Sequence, residues 1–337
     1  GFVGDAATIS QLAELGVIFL MFGVGLHFSF SDLWRVRGVA IPGALFQSAL
    51  TTLLAYGVSQ LWGWSAASGI VLGLALSVAS TVVLLRGLMD NGLLNTSHGQ
   101  AAVGWLIMED LATVFILVLM PTQADTSGSF NWLNLGWTLL KAAIFVILVI
   151  FVGMRLIPWL LLRIARTRSR ELFILAILAI ALGTALGAAE IFGVSLALGA
   201  FVAGVVVSES PLSHQVGADA LPFREAFAVL FFVSVGMLIN PGYLLDNIGS
   251  ILIITGIVIV GKPLITLLLG FFFPWPARTA LVVAAGLSQI GEFSFILGQA
   301  GMALGILDQN QYSLILAGAL FSIMLNPLMF HLVDPLE

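Results

Sequence analysis

The chain alternates long apolar runs with short polar ones. About eleven of these runs approach the ~20 residues needed to cross a ~30 Å hydrocarbon layer, at roughly 10–29, 39–61, 66–89, 99–121, 133–158, 171–190, 193–209, 222–240, 248–272, 278–302 and 311–333. Strands of a membrane barrel would alternate apolar and polar positions over ~10 residues. These runs are continuously apolar, so the pattern predicts an all-α polytopic membrane protein with no soluble domain. Helix breakers mark the connectors, as in Asn240-Pro241-Gly242 and Pro274-Trp275-Pro276.

The pattern also repeats. A shift of 211 positions carries Glu14 onto Glu225 and Gly25 onto Gly236, and carries Leu76-Ser77 onto Leu287-Ser288. One offset thus relates the first four runs to the last four. The shift spans seven runs, an odd number, so the second block is expected to enter the membrane upside down, as in inverted-repeat transporters.

Composition agrees with a bilayer environment: 60% of the 337 residues are hydrophobic and 9% are charged. Twelve basic and 17 acidic residues cannot clothe a soluble core of this size. The net charge of -5 gives no reason to expect a nucleic-acid partner. There is no cysteine, hence no disulfide framework or thiolate metal site. Residues 1–9 lack the basic segment and apolar run of a signal peptide. Arg35, Arg37, Arg86, Arg163, Arg166, Arg168, Arg170, Arg224 and Arg278 all fall on one side of the expected bilayer, and the opposite connectors carry no Lys or Arg. The positive-inside rule then places residue 1 outside and Glu337 in the cytoplasm.

Polar groups inside the runs are the candidate chemistry. Ser77 to Thr81 and Ser288 to Ser294 place small and hydroxyl residues at matching mid-membrane points of the two repeats. Such positions either let helices pack closely or unwind, so that freed carbonyls replace a cation's water shell. Glu109 and Asp110 are adjacent in an otherwise apolar run, where each charge costs ~2.5–3.5 kcal/mol on insertion scales. Successive helix positions differ by ~100°, so the two carboxylates do not share one face. A carboxylate can hold either a proton or a hard cation, although a buried structural ion pair would also explain the two acids. Lys262, opposite Thr51 in the repeat, pairs with Glu109 or balances a half-helix C-terminus. Glu292 ligates an ion or balances the positive end of the broken tenth run.

These motifs, with Leu15 to Leu26, Leu198 to Gly204, Phe231 to Met237 and Gln289-Ile290-Gly291-Glu292-Phe293, resemble the second branch of the monovalent cation:proton antiporters. Within it the chain is most similar to the potassium-efflux (Kef-type) antiporters and their YbaL-type relatives. The resemblance covers nearly the whole chain. It implies a sodium/proton-antiporter-like fold with two discontinuous crossing helices. It further implies exchange of a monovalent cation, K+ before Na+, for H+ by alternating access, with no enzyme activity and no cofactor in this chain. Asp110 would bind proton and cation in turn, with Glu109, Ser80, Thr81, Gln289 and Glu292 around the ion and Lys262 compensating charge. The resemblance divides residues 1–337 into a transport core (39–121 and 248–333) and a dimerisation scaffold (10–29 and 133–240) of a homodimer in the lipid bilayer of a bacterial inner membrane. Family members add two N-terminal helices and a cytoplasmic nucleotide-binding regulatory domain, which are expected to be missing here.

Two other classes share parts of this pattern. An organic-anion carrier would be expected to lack the carboxylate pair. An intramembrane aspartyl protease would need two facing acids, for which Asp110 and Glu292 are the candidates. His27, His98, His214 and His331 lie at expected helix ends without metal-ligand spacing. The arginines from 163 to 170 are expected to contact anionic lipid heads, and Trp62, Trp64, Trp132 and Trp137 to form an aromatic belt.

Overall fold

The computed structural model describes residues 6–27, 30–94, 96–120, 132–193, 195–237, 241–272 and 275–336, all helices and short connectors. In chain order the helices are α1 (Ala6–His27), α2 (Phe30–Leu61), α3 (Ala66–Ser77), α4 (Thr81–Asp90), α5 (Ser97–Leu119) and α6 (Trp132–Leu148). They continue with α7 (Met154–Ala165), α8 (Arg170–Phe192), α9 (Leu196–Ser208), α10 (Ser213–Met237), α11 (Pro241–Asp246) and α12 (Ile248–Gly256). The last are α13 (Lys262–Phe272), α14 (Ala277–Leu287), α15 (Glu292–Ala303), α16 (Gln309–His331) and α17 (Val333–Leu336). Asn240, Phe273, Pro274 and the connector 121–131 lie outside the described residues.

Among the described residues, six helical segments are long and apolar enough to cross a membrane, and the bent pair α14–α15 makes a seventh. Glu14–Leu26, Ala66–Ser77 and Leu196–Ser208 are shorter apolar helices. The expected run 66–89 is two helices, α3 and α4, parted at residues 78–80, and the run 278–302 is parted at 288–291 with a bend of 49°. Arg35 and Arg37, expected to follow the first helix in a connector, lie inside the 32-residue α2, which begins at Phe30. Arg163 likewise lies in the last turn of α7, because that helix runs on past residue 158.

The 211-residue shift orders the elements as well as the letters. It carries α2 onto α11 to α13, α3 onto α14, α4 onto α15 and α5 onto α16, with bounds agreeing within two residues. Among the described residues, two π-helical turns interrupt the helices, Val149–Gly153 and Ile257–Gly261. The second is accounted for by Pro263, which lacks an N–H and whose ring crowds the carbonyl four residues back. A widened turn accommodates both, and it ends at Lys262.

The chain divides into two compact units, one of residues 1–28 and 116–237, the other of 29–115 and 238–337. In the first, α1 packs against α9 and α10. Its closest approach needs glycine: a Cβ on Gly25 would lie 2.9 Å from Val205 N, and one on Gly204 would lie 2.8 Å from Leu26 N. Small residues in this role bring helix backbones together in a lipid environment, where no hydrophobic effect drives them. In the second unit α3 packs on α2 and α15, and α14 contacts α4, α13 and α16. That unit holds both helix breaks and every candidate site residue.

Candidate functional site

The two breaks meet. α3 ends where Val78 turns extended (φ -87°, ψ 128°), and Ser80 starts α4 as its N-cap, its hydroxyl accepting from Val83 N at 3.3 Å. In the other repeat Ser288 closes α14 and Gly291, also extended, precedes α15. A Cβ on Gly291 would lie 2.6 Å from the Ser80 Cβ and 2.7 Å from Ser80 N, so only glycine permits this approach. Ser80 N donates to Gln289 Oε1 at 2.8 Å, and Gln289 Nε2 returns a bond to Ser80 O at 3.2 Å. The Ser80 hydroxyl donates to Glu292 Oε2 at 3.0 Å.

The acids of α5 face the first break. Glu109 Oε2 accepts from Ala79 N at 2.8 Å, and Asp110 Oδ2 accepts from the Thr81 hydroxyl at 3.1 Å. Glu109, Asp110 and Glu292 are each at most 5% exposed and Lys262 is fully buried. Asp110 lies within the electrostatic reach of both Glu292 and Glu109, and Glu109 within that of Lys262. The Lys262 ammonium donates to the carbonyl of Gln289 at 3.2 Å, just past the end of α14. No ion pair within 4 Å joins it to a carboxylate among the described residues.

The sequence suggested that freed carbonyls would be open to an ion, but many are already engaged. Ser294 Oγ donates to Ala75 O and Val78 O. Gln47 Nε2 donates to Ser77 O at 3.4 Å and to Thr51 Oγ1 at 3.1 Å. Asn326 Nδ2 donates to Ala285 O and Ser288 Oγ, both at 2.9 Å. Gln289 Nε2 adds a bond to Gly286 O at 3.1 Å. Among the described residues, the buried oxygens left without a hydrogen-bond partner near the first break are instead Asp110 Oδ1, Glu109 Oε1 and Gln47 Oε1. A monovalent cation or a proton arriving here would therefore find carboxylate and amide oxygens first.

All seven sequence-derived site residues belong to this one unit. Ser80, Gln289 and Glu292 are bonded together, Thr81 to Asp110, and Lys262 to Gln289. The sequence reading did not single out Gln47 or Asn326, and named Ser294 only as part of the hydroxyl-bearing stretch of the second break. Gln47 was detectable as a lone amide one turn before Thr51, the position matching Lys262. His98, taken as interfacial, hydrogen-bonds Thr279 Oγ1 at 2.7 Å and ties α5 to α14.

The same arrangement of helices is found in the solved sodium proton antiporter MjNhaP1 from Methanocaldococcus jannaschii at pH 8. It matches with a TM-score of 0.67 and 16% identity over 98% of this chain and 87% of that one. At that identity the likeness establishes the fold. YbaL of Escherichia coli (strain K12), which carries the name of a cation/proton antiporter, is 52% identical over 340 residues, 99% of this chain and 61% of its own length. K(+) efflux antiporter 4 of Arabidopsis thaliana is 35% identical over 340 residues, 98% of this chain and 56% of its own. The chain thus spans about three fifths of the length of these relatives. Residues 1–333 match the pattern described as sodium/hydrogen exchanger, transmembrane, and the buried acids at crossed helix breaks accordingly sit in a member of that transporter family.

Proposed function

We propose that this chain exchanges a monovalent cation for protons by alternating access, with Asp110 holding proton and cation in turn. One observation carries this reading: three buried carboxylates and a single ammonium are gathered where two broken helices cross. With all four ionised, the cluster holds more negative charge than positive, and buried charge must be offset. A proton or a monovalent cation does so equally well, and that equivalence is the basis of exchange. Asp110 is the bearer because it has a free oxygen, an adjustable hydroxyl donor in Thr81 and, among the described residues, no cation paired with it. Lys262 serves to balance the carbonyl end of α14, which its bond to Gln289 O supports.

Potassium is favoured over sodium by the similarity to the potassium-efflux relatives. The unit holding the site would be the moving part. The other unit, whose Trp137, Ile147, Phe151 and Trp159 are exposed apolar surface, would face lipid or a second copy in a homodimer. The arginine distribution supports a cytoplasmic side for the end that carries residue 337.

Proton flux from vesicles carrying the chain, on addition of K+, Na+, Li+ or an organic anion, tests the reading. We expect a cation-dependent flux, largest with K+, that Asp110→Asn abolishes. Cation-dependent flux preserved in Asp110→Asn would remove Asp110 from this role, and strict Na+ preference would overturn the ion choice.

A further inference from the structure

Gln47 of α2 is fully buried, and only one end of its amide is used. Its Nε2 spends both hydrogens, one on Ser77 O at 3.4 Å and one on Thr51 Oγ1 at 3.1 Å. A backbone carbonyl can only accept, so Ser77 O decides which end of the amide faces it. Oε1 points the other way, and it has no hydrogen-bond partner although it is buried. A bare amide oxygen in a low-dielectric interior is unfavourable, and native interiors hold few such groups.

Two observations aim this oxygen at the acids of α5. Val78 is extended (φ -87°, ψ 128°), so the Ser77 carbonyl and the Ala79 amide flank it on one side. Gln47 holds the first and Glu109 the second. The helices agree with this. The Trp105 ring fills the space beside Gly43, its Cε3 2.7 Å from where a Cβ would lie. Gln47 stands one turn after Gly43, and Glu109 one turn after Trp105. α2 and α5 are parted by the single broken span α3–α4, so they run in the same direction and Gln47 comes level with Glu109. Glu109 Oε1 and the neighbouring Asp110 Oδ1 are likewise buried without a hydrogen-bond partner.

A proton is satisfied by one or two oxygens, whereas a monovalent cation that has shed its water needs several. A fourth carboxylate would add to a cluster that already holds more negative charge than positive. An amide oxygen supplies a ligand without charge. We propose that Gln47 Oε1 is a ligand of the transported cation, completing with Asp110 Oδ1 and Glu109 Oε1 a set of oxygens that a proton does not require. Gln47 thereby biases the site toward the cation and sets the concentration at which the cation displaces the proton from Asp110. This rests on the antiport reading above.

The test labels the full chain in lipid nanodiscs with glutamine carrying 13C at Cδ, and takes infrared difference spectra of KCl or NaCl against N-methylglucamine chloride. We expect an isotope-sensitive amide carbonyl band to shift with the cation and to be missing from Gln47→Met, whose side chain has similar length but neither oxygen nor N–H. Gln47→Asn removes the labelled carbonyl while keeping a polar amide, and assigns the band a second time. In vesicles, Gln47→Met should raise the half-saturating cation concentration about tenfold while the maximal rate changes little. Gly204→Ala, in the other unit, controls for lost stability: it crowds the α1 backbone and should lower the melting temperature without moving half-saturation. The absence of a Gln47 band that responds to either cation, or wild-type half-saturation in Gln47→Met, would overturn the proposal. Failure of the antiport reading is seen separately, as cation-dependent flux that persists in Asp110→Asn.

Discussion

Gly291→Ala probes the contact on which the site depends. At φ -123° and ψ -164° the backbone of Gly291 is in the extended region that any residue adopts, so the substitution carries no conformational penalty of its own. The added methyl would instead sit 2.6 Å from Ser80 Cβ and 2.7 Å from Ser80 N. Both atoms are held: Ser80 N by Gln289 Oε1 at 2.8 Å, and the side chain by Glu292 at 3.0 Å. Neither is the far end of a flexible chain, so relief requires the two breaks to part. Overpacking of this kind costs about 1–3 kcal/mol, and losing one of the two bonds adds about 1 kcal/mol. Gly57→Ala is the matched control, because nothing lies within 4 Å of a Cβ there, and replacing a mid-helix glycine gains about 0.5–1 kcal/mol. Thermal melting in detergent and proton flux in vesicles are read for both. We expect Gly291→Ala to melt well below the parent and to lose most exchange, with Gly57→Ala at or above the parent. Parent-like melting and flux in Gly291→Ala would show that the breaks do not meet as described.

Lys262→Gln keeps a donor for the Gln289 carbonyl but removes the charge facing Glu109. It should lower stability by about 1.5–3 kcal/mol and leave measurable exchange; a folded variant with none would make the lysine an obligatory proton carrier. Gln47→Leu strips the donor from Ser77 O and Thr51 and should cost about 1 kcal/mol, read as a lower melting temperature, whereas an unchanged one would mean the amide caps nothing. Gly204→Leu drives a side chain into the α1 backbone near Leu26 and should destabilise by about 1–3 kcal/mol. Wild-type melting there would refute the α1–α9 crossing.

The hydrophobic pattern revealed most of the apolar helices, the repeat and the location of both breaks, because bilayer thickness and helix rise leave little choice once a run is continuously apolar. It did not reveal where helices begin inside polar sequence. Arg35 and Arg37 look like a connector, yet α2 runs through them, since a helix can extend beyond the hydrocarbon with its charged side chains in the headgroup layer. Nor did it reveal which side chains close the breaks. The caps come from elsewhere in the chain: Gln47 lies 30 residues from Ser77, Asn326 lies 41 from Ala285, and Ser294 lies 219 from Ala75. Such pairings depend on helix rotation, which a continuously apolar run with little amphipathicity does not encode.

The chemistry of the site follows from where the two repeats differ. Under the 211-residue shift Ser77 matches Ser288 and the breaks coincide, so the backbone frame is shared. The charged positions are not shared: Thr51 stands opposite Lys262, Thr81 opposite Glu292, and Glu109-Asp110 opposite Leu320-Phe321. Had the symmetry been strict, the crossing would offer either two acid pairs or none. The first repeat instead supplies two acids, and the second supplies the third acid and the ammonium. One register position gives a hydroxyl donor to Asp110 in one half, and in the other a carboxylate that accepts from Ser80. The capping of the break ends is divided in the same way, by the neutral amide of Gln47 at Ser77 and by the cation of Lys262 at Gln289. Uncompensated negative charge is therefore drawn toward the α5 side of the crossing, where Asp110 keeps an oxygen free. On the antiport reading, that asymmetry assigns the exchanged proton or cation to the α5 side of a symmetric backbone frame.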